Sequence, residues 1–293
     1  MRVFSCTGFG VYFLGKPEQP PARYGFDMST ALQEDTADIL LRHDNDGVTT
    51  LTLNRPAQFN GLSEAMLDAL SQEIEAIGKD RSVRVVIIAA NGKAFCAGHD
   101  LKEMRANPSQ SYYKDLFQRC SKFMLSLLAL PQPVIARVHG IATAAGCQLV
   151  STCDLAVASE DALFGTSGIN VGLFCMTPSV GISRNMKRKD AFEMLFTGDL
   201  VSAEAAHGYG LVNKVVPTED LDTAVQHYAD RIKAKSAAAV EAGKQVYYRQ
   251  LEMGVSDAYD LAASEMARNM MFHDAGEGID AFIEKRKPTW RHE

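Results

Sequence analysis

Two hydrophobic periodicities succeed one another along the chain from about Ile39. The run Val48–Leu53 is rich in β-branched residues and leads into a turn sequence ending at Pro56, which predicts a strand. Apolar residues then recur every three or four positions, which predicts a helix that starts after the N-cap Ser63 and stops at Gly78. The members of this apolar stripe are Met66, Leu67, Leu70, Ile74 and Ile77.

Units of strand, turn and helix repeat beyond this point. An almost uniformly apolar run at Val83–Ala89 predicts a strand that is covered on both faces. Pro133–Val138 and Leu155–Ala158 are further predicted strands, with a helix around Gly146–Thr152 between them. This succession is typical of an α/β fold. After about Pro217 only helical patterns follow, at residues 222–238, 239–253, 258–270 and 278–285.

The change in pattern predicts three regions. Residues 1–37 are punctuated by glycine and proline and are expected to be a poorly ordered N-terminal extension. Because Met28 lies within this stretch, either Met1 or Met28 could be the natural start. Residues 38–215 form the predicted α/β core, and residues 216–293 form a helical region.

Composition narrows the possible functions. The 293-residue chain is 46% hydrophobic and 23% charged, as expected for a protein that folds around a core. Its net charge of −6 argues against a dedicated nucleic-acid surface or a polybasic membrane anchor, and no apolar run reaches the length of a membrane span. The seven histidines lack metal-ligand spacing, so we predict no metal. The six cysteines, without CxxC pairs, predict buried thiols and a cytoplasmic protein.

Two segments of small residues are candidates for ligand contact. The first runs from Lys93 to Leu101 and the second from Gly140 to Leu149, and each lies between a predicted strand and a predicted helix. Small residues let a backbone approach a ligand closely, and N–H groups at a helix start sit at a positive end of the helix dipole. Two such loops could supply the two donors of an oxyanion hole. Tight turns made for packing would have the same sequence, because spacing does not show convergence.

Five blocks, in order, resemble the signatures of the crotonase (enoyl-CoA hydratase/isomerase) superfamily. The resemblance runs from about residue 38 to residue 291, and the blocks read FCAGHDLKEM, PVIARVHGIATAAGCQLVSTCDLAVAS, FGTSGINVGLF, EMLFTGDLVSAEAAHGYGLVNKVV and GIDAFIEKRKPTW. Within the superfamily, AAGCQLV, NVGLFC and EKRKPTW are similar to the branch called enoyl-CoA hydratase domain-containing protein 3.

The resemblance implies a fold, a ligand and an assembly. The fold would be a spiral of ββα repeats over residues 38–215, followed by a helical region at 216–293 that assembles trimers, often paired as hexamers. The ligand would be an acyl-CoA thioester of fatty acid metabolism, with coenzyme A as part of the substrate and no separate cofactor. The backbone amides of His99 and Ala145 would form the oxyanion hole, although the family's usual second residue is glycine.

The same resemblance implies further contacts to the substrate. Lys102 and Lys285 match basic positions that contact the CoA phosphates, for which a point charge suffices. Arg55 would line the adenine end, and Phe282 would pack near the CoA of a neighbouring subunit. The remaining residues expected along the substrate are Ala97, Gly98, Asp100 and Gly146.

Both glutamates that hydratases of this family use are missing. Gln148 stands three residues after the oxyanion position, and Gly168 stands where the second carboxylate is expected. A positioned acid or base contributes about 10²- to 10⁴-fold to a rate, so we expect weak or altered hydratase activity. Two alternatives remain: a non-catalytic acyl-CoA-binding protein, or a different chemistry that uses an external base or a substitute such as Glu103 or the His99 imidazole.

Overall fold

The structure, a computed structural model, describes residues 38–293. The predicted poorly ordered extension at residues 1–37 lies outside the described residues. In chain order the strands are β1 Leu40–Asn45, β2 Val48–Leu53, β3 Val85–Ala90, β4 Ala94–Cys96, β5 Val134–Val138, β6 Ile141–Thr143, β7 Leu155–Ser159, β8 Leu163–Gly165, β9 Val201–Ser202 and β10 Lys214–Val216. The helices are α1 Glu64–Lys79, α2 Leu101–Ala106, α3 Gln110–Ala129, α4 Ala145–Thr152, α5 Met176–Asn185, α6 Arg188–Thr197, α7 Ala203–Tyr209, α8 Leu221–Lys233, α9 Ala237–Gln250, α10 Val255–Asn269 and α11 His273–Ile283.

The larger sheet has the strand order β1-β2-β3-β5-β7-β10. All six residues of β3 are buried, because β3 pairs in parallel with β2 and β5 and is covered on both faces. The predicted strand Val48–Leu53 is confirmed with the same bounds, and the predicted strand at Val83–Ala89 is confirmed with a start at Val85.

Helix α1 covers one face of this sheet. Its N-cap is Ser63, as predicted, and the Ser63 hydroxyl accepts a hydrogen bond from the Met66 N–H at 3.2 Å. The predicted stop at Gly78 is wrong by one residue, because the helix continues to Lys79. The predicted apolar stripe is entirely buried and forms part of the main core.

The smaller sheet has the order β4-β6-β8-β9. Its first three strands run parallel, since β4 pairs with β6 and β6 pairs with β8 in that sense. Each is followed at its carboxyl end by a helix or helical turn: α2, α4, and a 3₁₀ turn at Ser167–Val171. The carboxyl ends of neighbouring parallel strands meet at one edge, so these three connections lie side by side.

The helical region begins where the sequence pattern changes. Helices α8 to α11 are confirmed, with bounds that differ from the predicted ones by a few residues. A buried cluster attaches α9 to the core: the Lys244 ammonium donates to Asp154 at 2.7 Å, and the Tyr248 hydroxyl donates to the same carboxylate at 2.7 Å. Among residues 38–293, no helix is both long and apolar enough to cross a membrane.

Candidate functional site

The two amides expected to bind an oxyanion lie on adjacent connections of the smaller sheet. His99 follows β4, and Ala145 is the first residue of α4 after β6. Within residues 38–293, neither amide donates a hydrogen bond to a protein oxygen. Among the described residues both N–H groups therefore keep an unused donor, and an N–H at a helix start also benefits from the helix dipole.

Gly98 brings these two segments into contact. Its φ is +98°, a conformation that L-residues rarely adopt. A methyl group placed on Gly98 would lie 3.3 Å from the Ala145 nitrogen and 2.9 Å from the Ala144 methyl. The backbone at Gly98, just before the His99 amide, therefore packs against the residue just before the Ala145 amide, Ala144. The segments that carry the two amides are therefore in contact, and the oxyanion hole itself stays a prediction.

Gly146 fixes the other side of the same junction. A methyl group on Gly146 would lie 2.0 Å from the Cys96 carbonyl oxygen, closer than any van der Waals contact allows. Only glycine lets α4 begin this near the end of β4. The two glycines predicted on the substrate, Gly98 and Gly146, therefore also determine how close the donors stand.

Ala144, which sequence reasoning missed, carries backbone strain at this junction. Its φ is +50° and its ψ is −121°, values natural for glycine at the first corner of a type II′ turn. Such a conformation costs a non-glycine residue about 1–3 kcal/mol. The one available sequence signal was that the turn TAAG has no glycine until its last position.

Replacing Ala144 by glycine is expected to stabilise the protein. Relief of strain outweighs the extra entropy that glycine gives the unfolded chain, about 0.4–1 kcal/mol, so we expect a net gain of about 1 kcal/mol. The urea midpoint should rise with an unchanged slope. Ala205→Gly, within the ordinary helix α7, is the matched control and should lower the midpoint. A lower urea midpoint for both variants would contradict the account of backbone strain at Ala144.

The His99 imidazole is turned into the protein. Its Nδ1 lies 3.2 Å from the Leu62 carbonyl oxygen, and its ring meets Phe117 edge-on with centroids 5.5 Å apart. Burial lowers the pKa of His99, so the ring is neutral at pH 7. The carbonyl requires the proton on Nδ1, which leaves the buried Nε2 as an acceptor without a partner among residues 38–293.

The two positions of the missing glutamates differ in character. Gln148 is buried at 5% exposure, and its Oε1 has no hydrogen-bond partner within residues 38–293. At Gly168 a methyl group would lie 2.6 Å from the Leu173 carbonyl oxygen and 2.9 Å from the Cys175 sulfur. The first position holds a neutral side chain of glutamate's size, whereas the second is closed to any side chain.

A hydroxyl pair joins the second and third connections. The Thr143 and Ser167 hydroxyl oxygens lie 2.9 Å apart, and the Ser167 N–H donates to Thr143 Oγ1 at 3.3 Å. Thr143 ends β6, two residues before Ala145, and Ser167 directly precedes Gly168. The pair therefore links the connection that leads to Ala145 with the connection that holds Gly168. Thr143 was not singled out from sequence.

The carboxylates nearest to the oxyanion segment are already engaged. Asp100 accepts from the N–H groups of Lys102 and Glu103 as the N-cap of α2, and it lies 3.6 Å from Arg55 Nη1. Glu103 accepts from the Glu64 N–H at 2.9 Å and so caps α1. Each carboxylate therefore has one oxygen engaged at a helix end in this arrangement.

The residues expected at the CoA lie on separate elements. Lys102 is exposed in the first turn of α2, Arg55 lies in the turn after β2, and Ala97 is exposed after β4. Phe282 is 84% exposed near the end of α11, and Lys285 follows with a φ of +56°. Their roles toward CoA stay predictions.

The cysteines near the site are buried thiols. Burial raises the pKa of Cys147 to about 12 and also raises that of Cys175. A thiol acts as a nucleophile through its thiolate, which is scarce at neutral pH when the pKa is this high. The arrangement therefore gives no support to acyl transfer onto either cysteine. Among residues 38–293, no group of three or more metal-ligating side chains is assembled.

Comparison with known proteins shows which family and fold this chain resembles. The family profile described as Enoyl-CoA hydratase/isomerase matches residues 43–293. Human enoyl-CoA hydratase domain-containing protein 3, mitochondrial, is 45% identical over 248 residues, covering 85% of this chain and 82% of the human protein. The mitochondrial enoyl-CoA hydratase of Pongo abelii is 32% identical over 254 residues, covering 85% and 86% of the two chains. The crystal structure of a Mycobacterium smegmatis enoyl-CoA hydratase superposes with a TM-score of 0.86 at 59% identity, covering 87% of this chain and 99% of that one.

The prediction of a cytoplasmic protein is wrong. The human relative at 45% identity and its rat counterpart, also at 45%, are both named as mitochondrial proteins. Cysteine usage could not have found this, because buried thiols do not distinguish the cytosol from the mitochondrion.

Proposed function

The chain belongs to the enoyl-CoA hydratase/isomerase family, and on that premise we propose that it binds an acyl-CoA thioester and polarises its carbonyl with the amides of His99 and Ala145. The observation that carries this is that neither amide donates to a protein acceptor within residues 38–293 and that both lie on segments that touch at Gly98. Two fixed donors stabilise the negative oxygen of an enolate more than they stabilise a neutral carbonyl.

The remaining substrate contacts belong to the same proposal. Lys102 and Lys285 would supply charges to the CoA phosphates, Arg55 would face the adenine end, and Phe282 would pack against the CoA of a neighbouring subunit. The 84% exposure of Phe282 in the single chain suits a trimeric or hexameric assembly. Ala97, Gly98, Asp100 and Gly146 would form the walls along the thioester.

Hydration is proposed to be slow for a structural reason. Adding water across a double bond requires a base for the water and an acid for the α-carbon, and neither Gln148 nor Gly168 provides a carboxylate. Asp100 and Glu103 are held at helix ends. The His99 Nε2 is a buried basic atom without a partner within residues 38–293 and lies beside the oxyanion segment, so residual hydration is proposed to depend on it.

A non-catalytic acyl-CoA-binding protein is the second candidate. It is favoured by Gly168, because the Leu173 carbonyl leaves no room there for any catalytic side chain. Such a protein would bind a CoA ester without converting it into a product.

Hydration of crotonyl-CoA tests the proposal. Purified protein should bind the unreactive ester butyryl-CoA in calorimetry, yet hydrate crotonyl-CoA at least about 10²-fold more slowly than the Pongo abelii hydratase assayed beside it. His99→Gln should remove what rate remains. Turnover comparable to that of the relative would contradict the account of the missing carboxylates. Failure to bind butyryl-CoA would overturn the proposal that the ligand is an acyl-CoA thioester.

A further inference from the structure

Residues 286–293 fold back from the end of α11, and we call them the C-terminal strap. They form neither a helix nor a strand, so side-chain contacts hold them in place. The carboxylate of Asp274, a buried residue in the first turn of α11, accepts from the Arg291 N–H at 2.7 Å and from the His292 N–H at 2.9 Å. The strap is thereby fastened along the start of α11.

The His292 imidazole fastens the other side of the strap, and both of its ring nitrogens face donors. Its Nδ1 lies 3.2 Å from the nitrogen of Ala237, the first residue of α9, and its Nε2 lies 3.2 Å from Arg84 Nη1. Arg84 is held there because its Nη2 donates to the Lys235 carbonyl oxygen at 2.8 Å. A guanidinium and a backbone N–H can only donate. The ring must therefore offer a lone pair, which a neutral imidazole has and an imidazolium lacks.

A positive charge on His292 would be unfavourable for two further reasons. Arg84, before β3, places a permanent positive charge beside the ring, and the start of α9 is the positive end of its helix dipole. Asp274 on α11 is the opposing negative charge, and Arg291 and Glu293 flank the ring in the strap itself. Burial lowers the pKa of His292 and the Arg84 charge lowers it further, which outweighs the attraction to Asp274.

We propose that the C-terminal strap is a pH-sensitive latch, in which neutral His292 holds the strap closed on α9 and protonation of His292 releases it. The sign follows from the pKa, which is lower for the closed strap than the 6.5 of a free imidazole. Closure is therefore fully supported above about pH 6.5 and weakens as the pH falls below that value.

The other titratable groups at the strap do not give this response. Burial raises the pKa of Asp274, but hydrogen bonds from Ser236 and from the Arg291 and His292 N–H groups outweigh it and bring the pKa below the usual 3.8. Asp274 thus stays ionised wherever His292 titrates. His273 Nδ1 lies 3.6 Å from Asp274, so a charge on His273 would attract the carboxylate that fastens the strap, an effect of the opposite sign.

The latch has a consequence for the ligand, and this consequence rests on the proposed function. Helix α11 carries Phe282, and Lys285 lies between α11 and the strap. These two residues are proposed to contact CoA. Release of the strap frees the end of α11 that positions them, so we expect weaker binding of butyryl-CoA below about pH 6.5.

Hydrogen exchange of the peptide that contains Arg291 and His292 tests the latch directly. After correction for intrinsic rates, we expect the protection of its amides to fall about three- to tenfold from about pH 7.5 to about pH 5.5, as one bound proton favours release. Protection of strand β3, at Val85–Ala90, should stay unchanged, because only the strap opens. Trp290 gives a second signal as the only tryptophan of the chain. Its indole donates to the Ala234 carbonyl oxygen at 2.9 Å, so its emission should shift to the red on release.

Three variants separate His292 from its surroundings. His292→Asn keeps a neutral acceptor near the Nδ1 position and tolerates the φ of +67° found there, so its protection should be high at both pH values. His292→Lys is charged throughout and should show at the higher pH the low protection of the native protein at the lower one. His227→Asn, on the exposed face of α8, is the matched control and should respond as the native protein does.

Two outcomes would overturn the latch. One is equal protection of the native strap at both pH values, and the other is the same loss of protection in His292→Asn as in the native protein. A strap that opens on schedule while the affinity for butyryl-CoA stays constant would support the latch and overturn its link to the ligand. Failure to bind butyryl-CoA at any pH would overturn the proposed function, and the exchange data would still decide the latch.

Discussion

Replacing Gln148 by glutamate is expected to raise the rate of crotonyl-CoA hydration by about 10²-fold, because a carboxylate at this position can take a proton from water. The side chain fits, since glutamine and glutamate have the same size and Gln148 is already buried. Burial without a partner should raise the new carboxyl's pKa, so the gain should appear as pH rises through that value. The measurement is the initial rate across pH 6 to 9 for both proteins.

Gly168→Glu provides the contrast for this prediction. The new side chain would press its Cβ within 2.6 Å of the Leu173 carbonyl oxygen, so the loop would have to open. We expect no gain in hydration from this variant and a lower thermal midpoint. A larger gain from Gly168→Glu than from Gln148→Glu would show that the turn at Ser167–Val171 is not closed as the structure has it.

Gly146→Ala is expected to lower affinity for an enolate ligand by about 10²-fold, the cost of losing one oxyanion donor. The added methyl would lie 2.0 Å from the Cys96 carbonyl oxygen, so α4 must move away from β4 and carry the Ala145 amide with it. Titration of acetoacetyl-CoA against native and variant proteins measures the change.

Gly208→Ala is the matched control for this variant. Nothing lies within 4 Å of a methyl group placed on Gly208, which is an exposed position in α7. We expect native affinity and a slightly raised thermal midpoint, because alanine favours a helix. If Gly146→Ala binds as tightly as Gly208→Ala, the close approach of α4 to β4 does not position the donor.

The pattern of hydrophobic residues in the sequence predicted most strands of the larger sheet. The strand at Val48–Leu53 and the Ser63 cap follow from local chemistry, because β-branching and a capping hydroxyl act within a few residues. The end of α1 was missed by one residue, because the helix runs through Gly78 despite the low helix propensity of glycine. The division at residue 215 and the role of 216–293 in assembly stay predictions.

The candidate site was predictable as segments and not as an arrangement. Small residues marked the loops at Gly98 and Gly146, but their contact depends on β4 and β6 being parallel neighbours, a non-local fact. The Thr143–Ser167 pair joins residues 24 positions apart, and the positive φ of Ala144 opposes its residue preference. No sequence periodicity carries either feature. The lack of space for a side chain at Gly168 likewise depends on the fold of the following turn, which places the Leu173 carbonyl oxygen against Gly168.

The most direct test of the account is the absorbance spectrum of acetoacetyl-CoA bound to the native protein. This ester exists as a neutral diketone or as an enolate, and the two forms absorb differently. Two converging amides should stabilise the negatively charged form. We expect the enolate band to grow with added protein at pH 7 and to be absent with Gly146→Ala. Binding of acetoacetyl-CoA with no enolate band would show that the His99 and Ala145 amides do not form an oxyanion hole.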